Sequence, residues 1–551
     1  MILDYNPATG AYWLRVPRGA TPDAQTLMTE YGLDFSEPAS TYNSAVLFTR
    51  DPYCAVSFRE GATPAARQQL DWIIREVEAS WAPSSDRHVD CPPGRELWPY
   101  QRADVDYLMR RPHGLDADEP GLGKTMVAIC VANEMQAKRV LVVCPASIRL
   151  QWAKRIREWS TLDRPRVYAI TASRYGTSER AEYSVVSFDL ARRPPILRAL
   201  VKQEYDLLVI DEAHYCKEVS SKRTRAIFGY HDRRPDDGES ETVVTACLAE
   251  RSKRVLCLTG TPLPNRPREA YVMARGLCWD AIDWLSQRKF AERYNPMRKT
   301  EVRPGKVFVQ ERQGRLPELQ NRMRAHFMCR HLKREVLPQL KLPIYDLIQV
   351  EETSAVKQAL AAERLLDIDP EMLAGADAQI LGQVSTVRRM MGVALAPQVA
   401  DYIAMLIEGG ENKLVVFAHH VEVLDILCER LHEYGVVRVD GSDTARSKDT
   451  KVRAFVERPE IRVIVGNILS LGTGTDGLQI VCNHGLIAEP DWVPGNNVQC
   501  GDRLDRGGQR ETVQIDIFVA PGSIAERILA TALRKGGVIH KSLDMRASEI
   551  V

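Results

Sequence analysis

The chain has 551 residues, in which 74 Lys and Arg nearly balance 73 Asp and Glu. That length sets an expectation of two large domains with accessory elements, each able to bury its own core. The near-neutral charge neither supports nor excludes nucleic acid, and it confines any basic DNA track to a local patch.

The 12 cysteines form no CxxC pair. Cys130, Cys144, Cys257, Cys428 and Cys482 sit inside apolar runs, which reads as buried reduced thiols in a reducing compartment, without zinc. Met1-Ile2-Leu3-Asp4 is unlike a signal peptide, and no uninterrupted apolar stretch approaches the ~20 residues of a membrane helix. The expectation is a soluble, cytoplasmic protein with no membrane partner.

In chain order, residues 1–90 come first and differ in texture from the rest. Short strands are expected at 11–16, 45–49 and 54–58 and a helix at 65–80, with Pro83, Pro92 and Pro93 bracketing a linker. This predicts a small accessory domain. Short apolar runs rich in β-branched residues follow at 138–144 (KRVLVVC), 205–211 (YDLLVID) and 254–259 (RVLCLT). Such runs, separated by helix-like stretches, read as buried parallel strands of an α/β sheet. The segment 231–241 (HDRRPDDGESE) reads as a surface loop. Between 264 and 397 charged, helical sequence takes over, as at 316–340 and 354–366, flanking a linker near 341–343. The strand pattern then returns at 413–418, 436–440, 461–466 and 513–519, so two α/β lobes lie in series.

The chemistry begins at Asp118-Glu119-Pro120-Gly121-Leu122-Gly123-Lys124-Thr125, followed by apolar Val127, Cys130, Val131 and Met135 at helical steps. A small-residue turn opening a helix lets backbone N–H groups and the helix dipole cradle phosphates, with Lys124 reaching the terminal phosphates and Thr125 ligating magnesium. Asp118 stands where the first glycine of GxxxxGK[ST] belongs, and a chance turn before a helix could also give GxGKT. Its companion is Asp211-Glu212-Ala213-His214, which puts two acids at a strand's carboxyl end, where ligands bind in open α/β sheets. Asp211 would hold magnesium through water, and Glu212 would orient and deprotonate the attacking water. An acidic loop after a strand is common alone. With a phosphate loop about 90 residues upstream it marks an ATPase.

With these motifs in place, the sequence resembles the Swi/Snf-type ATPases of helicase superfamily two, and within them the annealing-helicase (HepA-related) branch. The resemblance covers about 95 to 530. It rests on Leu97-Trp98-Pro99-Tyr100-Gln101, the phosphate loop, Val142 to Ser147 with Gln151-Trp152, the DEAH tetrad with Lys217, and 258–265 (LTGTPLPN). In the second half it rests on Trp492 to Gly495, Gln499, Asp502-Arg503-Leu504-Asp505-Arg506 and Gly508-Gln509. Branch flavour shows at 290–294 (FAERY), at Arg330-His331-Leu332-Lys333 with Val336-Leu337, and at 416–420 (VFAHH).

The resemblance implies a DNA-dependent ATPase with ATP and Mg2+, built as two RecA-like parallel-sheet lobes with helical protrusions. The domains would be 1–90 (accessory, DNA-substrate recognition), 95–340 (lobe one) and 344–545 (lobe two). Gln101 would read adenine, with Asp118, Glu119, Gly121, Leu122, Gly123, Lys124, Thr125 and Gln499 also at the nucleotide. Arg503 and Arg506 would be arginine fingers joining Lys124, Asp211 and Glu212 in catalysis. Pro145, Ala146, Ser147, Gly260 and Thr261 would touch DNA from lobe one, and Gly441, Ser442 and Gly477 from lobe two. Four departures stand out: Pro120 for a methionine, Gly501 for an acid, Asp505 for a histidine, and a longer, more polar 472–478.

Six basic residues (Arg298, Lys299, Arg303, Lys306, Arg312, Arg315) against two acids (Glu301, Glu311) read equally as a duplex clamp or a solvated loop. Arg322, Arg324, Arg330, Lys333 and Arg334 extend the run toward a clamp. The leading expectation is an ATP-driven translocase on double-stranded or forked DNA with annealing or fork-remodelling activity, aided by single-strand-binding or replication and repair proteins. A strand-separating helicase, an RNA-polymerase-recycling ATPase and an idle DNA-binding scaffold are the alternatives.

Overall fold

The computed structural model describes residues 1–526 except 42, 172–179, 230, 233–241, 244–245, 261, 264–265, 304–305, 312–313, 338–342, 367–377, 472–476 and 492–493. Thr261, residues 472–476 of the polar departure, Trp492 and Val493 therefore lie outside the described residues, as do 233–241 of the expected loop 231–241 and most of the expected linker.

The apolar runs of the first half form a seven-stranded, all-parallel sheet. Its spatial order is Met328–Cys329, Gly114–Asp116, Ser252–Leu258, Tyr205–Asp211, Val140–Cys144, Tyr183–Ser187, Val167–Ala169. A parallel sheet covered on both faces demands continuous apolar strands, and Val140–Cys144 is buried at every residue. Helices Lys124–Glu134 and Arg149–Trp159 cover one face, packing Val127, Val131, Trp152 and Ile156 on Val140, Val142 and Val209. Helix Ala270–Leu277 packs on the opposite face, against the core built on Leu141, Val143, Leu208 and Ile210.

The second lobe repeats this logic with six parallel strands in the order Ile344–Gln349, Gln514–Val519, His484–Ile487, Leu414–Ala418, Val463–Asn467, Val436–Val439. Ile344–Gln349 was not expected as a strand. It is an exposed edge interrupted by Asp346, so it lacks the continuous apolar signature. Helices Ser354–Leu366 and Ala378–Glu408 pack on each other and on this sheet. The segment Gly382–Glu408 corrects the hydropathy reading, being long and apolar enough to cross a membrane by length and composition. Its Leu395, Ala396, Val399, Ile403 and Ile407 are instead buried in the lobe core.

The accessory unit is a four-stranded antiparallel sheet, ordered Ile2–Asn6, Ala11–Pro17, Ser44–Thr49, Asp34–Phe35, under helix Pro64–Ala79. The expected strand at 54–58 is a helical turn, Pro52–Ala55 running into Val56–Gly61. Asp51 caps it by accepting from Tyr53 N and Cys54 N, and Pro52 occupies the first helical position.

This unit docks on helix Leu316–His326, which is buried along nearly its whole length and gives Ala325 to the accessory core and Leu319 and Met323 to lobe one. Asp51 Oδ2 accepts from Arg293 and Arg322 at 2.7 Å each, and Arg322 also meets Glu318 at 2.7 Å and Asp283 at 2.8 Å. Arg324 is fully buried, bonded to Ser80 Oγ at 3.2 Å and stacked over Trp81. Arg330 donates to Ala117 O and Gly260 O. Four of the five basic residues thought to extend a DNA clamp are thus internal, and only Arg334 of that group is exposed. The stretch before them is a hairpin, Met297–Arg303 paired with Lys306–Glu311. Of the five cysteines expected to be buried, four are, and Cys428 is half-buried.

Candidate nucleotide site

A cleft of about 460 Å³ opens between the lobes, lined from lobe one by Trp98, Gln101, Gly121, Gly123, Lys124, Thr125, Asp211 and Glu212, and from lobe two by Gln499, Arg503 and Arg506. The phosphate loop gets its shape from Gly121 and Gly123, at φ of +91° and +92°, a left-handed region that glycine enters without steric cost. A Cβ on Gly123 would also strike Gln101 Nε2. Gln101 is tied down at both ends: it donates to Leu122 O at 2.8 Å and accepts from Trp98 N at 2.9 Å. Tyr100 donates to the same Leu122 carbonyl at 2.9 Å. The residue expected at adenine therefore also braces the loop.

Lys124 Nζ donates to the loop's own carbonyls, Asp118 O at 2.5 Å and Glu119 O at 3.1 Å. Asp118, Glu119 and Leu122 do not line the cleft with their side chains; they anchor the loop from behind. Glu119 Oε2 accepts from Lys333 N at 2.6 Å. Asp118 Oδ1 accepts from His331 N at 2.7 Å.

Behind the loop, His331 Nδ1 lies 3.1 Å from Asp104 Oδ1 and 3.2 Å from Asp118 Oδ1, and Nε2 faces Ala82 O at 3.0 Å. A carbonyl on one nitrogen and two carboxylates on the other favour the doubly protonated ring. Burial opposes that charge, but Asp104 and Asp118 outweigh it and raise the His331 pKa well above the usual histidine value. The three atoms could share an ion by proximity; the imidazolium itself supplies the compensating positive charge.

At the far side, Asp211 ends strand Tyr205–Asp211 and accepts Trp152 Nε1 at 2.7 Å. Burial, then the charge of Glu212, pushes its carboxyl up to about 7. Glu212 sits at φ +55°, and burial works against its charge. The hydrogen bond and charge of His214, then Lys124 and Arg503, reverse that and hold it below the usual glutamate value. His214 Nδ1 is 3.2 Å from Glu212 Oε2 and 2.9 Å from Thr259 Oγ1, linking the acid to the end of strand Ser252–Leu258. Two adjacent acids thus divide into a carboxyl wanting a cation and a carboxylate able to accept a proton. The Thr125 hydroxyl and Asp211 carboxyl supply hard oxygen donors beside the phosphate loop, which suits Mg2+. Trp152 and His214 were legible as motif members, but their bonds to the acids were not.

From lobe two, Gln499 is buried on helix Pro494–Gly501. Arg506 Nε donates to Asp502 O at 3.0 Å, and Arg506 Cβ lies 3.0 Å from where a Cβ on Gly121 would stand. The structure accounts for three departures. A Cβ on Gly501 would collide with the Tyr345 hydroxyl, Pro120 lies against Gly260, and Asp505 bonds Lys333.

The expected DNA residues stand at strand ends. Pro145 and Ala146 follow Val140–Cys144, with Ala146 exposed and Ser147 in the turn Ala146–Ile148; Gly260 follows Ser252–Leu258 and faces the cleft. Gly441 and Ser442 are exposed after Val436–Val439, with Ser442 N on Asp440 Oδ1 at 2.9 Å. Gly477, at φ +101°, opens the turn Leu478–Ile480. The turn Ala146–Ile148 contacts helix Ala445–Glu457 across the lobes.

A phosphate loop, paired acids at a strand end and arginines from a second parallel-sheet lobe define a two-lobed ATPase core. Residues 73–235 match the SNF2-related domain, and the chain is similar to SNF2-type ATPases of the annealing-helicase branch. It is 27% identical over 468 residues to the DNA annealing helicase and endonuclease ZRANB3 of Bos taurus, covering 83% of this chain and 41% of that protein. It is 28% identical over 474 residues to the SWI/SNF-related matrix-associated actin-dependent regulator of chromatin subfamily A-like protein 1 of Xenopus tropicalis, covering 84% and 45%. The chain spans less than half the length of these curated relatives. The solved Sulfolobus solfataricus SWI2/SNF2 ATPase core in complex with dsDNA is 18% identical, and the match covers 82% of this chain and 97% of that one at a TM-score of 0.38.

Proposed function

We propose that the chain hydrolyses ATP when bound to double-stranded or branched DNA, and uses the cycle to move on it and to anneal strands or remodel forks. One observation carries this reading: a single cleft holds Lys124, Thr125, Asp211 and Glu212 from one lobe and Arg503 and Arg506 from the other. Neither lobe alone owns the full set, so turnover depends on how the lobes sit, and a ligand that sets their arrangement sets the rate.

Lys124 would leave the carbonyls of Asp118 and Glu119 for phosphate oxygens. Glu212, kept ionised by His214 and its cationic neighbours, would take the proton of the attacking water. Thr125 and Asp211 would hold Mg2+, which when bound neutralises phosphate charge. Arg503 and Arg506 would stabilise the charge of the transferring phosphoryl group. Backbone-rich turns at Pro145 to Ser147, Gly441 and Ser442 suit phosphate contacts that position without reading sequence. The names of the annealing-helicase relatives support DNA as the track; single-strand-binding or replication and repair proteins would be its partners. The location would be the nucleoid-bearing cytoplasm, or the nucleus of a eukaryote.

The test is ATP turnover with single-stranded, duplex and forked DNA, beside a strand-annealing assay. Lys124→Ala and Glu212→Gln should abolish turnover and leave DNA binding largely intact. Undiminished turnover in either variant would sink the reading.

A further inference from the structure

We propose that Lys333 is a positioning residue, an ion-paired latch that ties the phosphate loop of lobe one to the arginine segment of lobe two. Lys333 lies at the end of lobe one, just after the last strand of its sheet, and is 9% exposed. Its backbone N–H donates to Glu119 Oε2 at 2.6 Å. Its ammonium crosses the cleft and donates to Asp502 Oδ1 at 2.5 Å, Asp505 Oδ2 at 2.8 Å and Asp505 O at 2.7 Å. Three donors meet three acceptors, so the ammonium is fully satisfied.

The acceptors decide what the latch does. Asp502 and Asp505 flank Arg503, and Asp505 directly precedes Arg506. Holding these carboxylates and the Asp505 carbonyl fixes the backbone from which both arginines project. Asp505 stands where a histidine is common in the resembled family, so this chain gives the lysine a second carboxylate there.

The other end of the latch is sensitive to nucleotide. Glu119 carries the carboxylate that receives Lys333 N, and its backbone carbonyl is one of the two groups bonded by Lys124 Nζ. When Lys124 turns to a phosphate, the Glu119 backbone is released and Lys333 moves with it. Loading of the loop is thereby communicated to Arg503 and Arg506 through one side chain. Because the carboxylates are mostly buried, the latch is screened by salt far less than a surface pair.

The link to hydrolysis rests on the proposed ATPase reading; the link between lobes does not. Two measurements on the full chain separate them. In DNA-stimulated turnover, Lys333→Met and Asp505→Asn, one on each lobe, should each lower kcat by on the order of tenfold or more, a fraction of the roughly 10³–10⁵-fold that arginine fingers supply. KM for ATP should stay within about twofold, because the phosphate loop remains. The double variant should be no worse than the poorer single one. In small-angle scattering without nucleotide, Lys333→Met should expand the particle relative to the parent chain. A raised KM with kcat unchanged, or additive losses, overturns the latch. So does unchanged scattering. A parent chain with no turnover on any DNA removes the ATPase reading and leaves scattering to decide the latch.

Discussion

Replacing Asp51 by alanine should undock the accessory unit from lobe one. Asp51 Oδ2 accepts 2.7 Å bonds from both Arg293 and Arg322, and Arg322 is 3% exposed. Breaking a buried ion pair costs about 3–5 kcal/mol. Glu318 and Asp283 still face Arg322, so the lower end, about 3 kcal/mol, applies here. Loss of the helix cap on Tyr53 and Cys54 adds about 1 kcal/mol. The cap bonds lie within the unit and persist when it undocks, so the docking share is about 3 kcal/mol, roughly 10²-fold in the docking equilibrium. Native-state hydrogen exchange reads it directly: amides of helix Leu316–His326 and of strand Ser44–Thr49 should lose about that much protection, while the lobe-two sheet is unmoved. Burial raises the Asp51 pKa, but Arg322 and Arg293 outweigh it and the net shift is downward. Its stabilisation is therefore present above the unfolded aspartate pKa and lost as pH falls through the depressed folded value, so parent and variant should converge in acid. A loss of protection under about tenfold, or one spread evenly over both lobes, would refute the anchoring role.

Trp152→Phe removes the indole donor to Asp211 while keeping the ring in the core; by analogy with lost outer-shell partners, the Mg2+ concentration for half-maximal turnover should rise about 10–100-fold, read by magnesium titration. His331→Gln should cost about 3–5 kcal/mol at neutral pH by leaving Asp104 and Asp118 without their cation. Since the folded His331 pKa is raised, its contribution is full below the ordinary histidine value and lost as pH rises through the raised one. Denaturant midpoints against pH should thus decline on the alkaline side for the parent chain and more weakly for the variant.

Both parallel sheets were legible because strands buried on two faces must be continuous apolar runs, and seven such runs were found close to their observed bounds. The motif residues were legible because phosphate chemistry fixes residue type and spacing together. What escaped the sequence is pairing at long range. Arg322 and Lys333 look like solvated or DNA-facing charge until Asp51 and Asp502 arrive from 271 and 169 residues away. At 54–58 the apolar run argued for a strand, whereas Asp51 and Pro52 made the start of a helical turn. Ile344–Gln349 stayed hidden because an exposed edge strand carries no burial signature.

The docking of the accessory unit bears on what a shortened chain would reveal. Residues 80–82 supply Ser80 to Arg324 and Arg330, Trp81 to Arg324, and the Ala82 carbonyl to His331. A chain begun at residue 91 would keep Arg293, Arg322, Arg324 and His331 but remove these contacts, and would bare Ala325. Its silence in an assay would report a damaged first lobe, whatever the missing part recognises. Substitution at exposed Phe35, on the unit's edge strand, asks the recognition question without that damage.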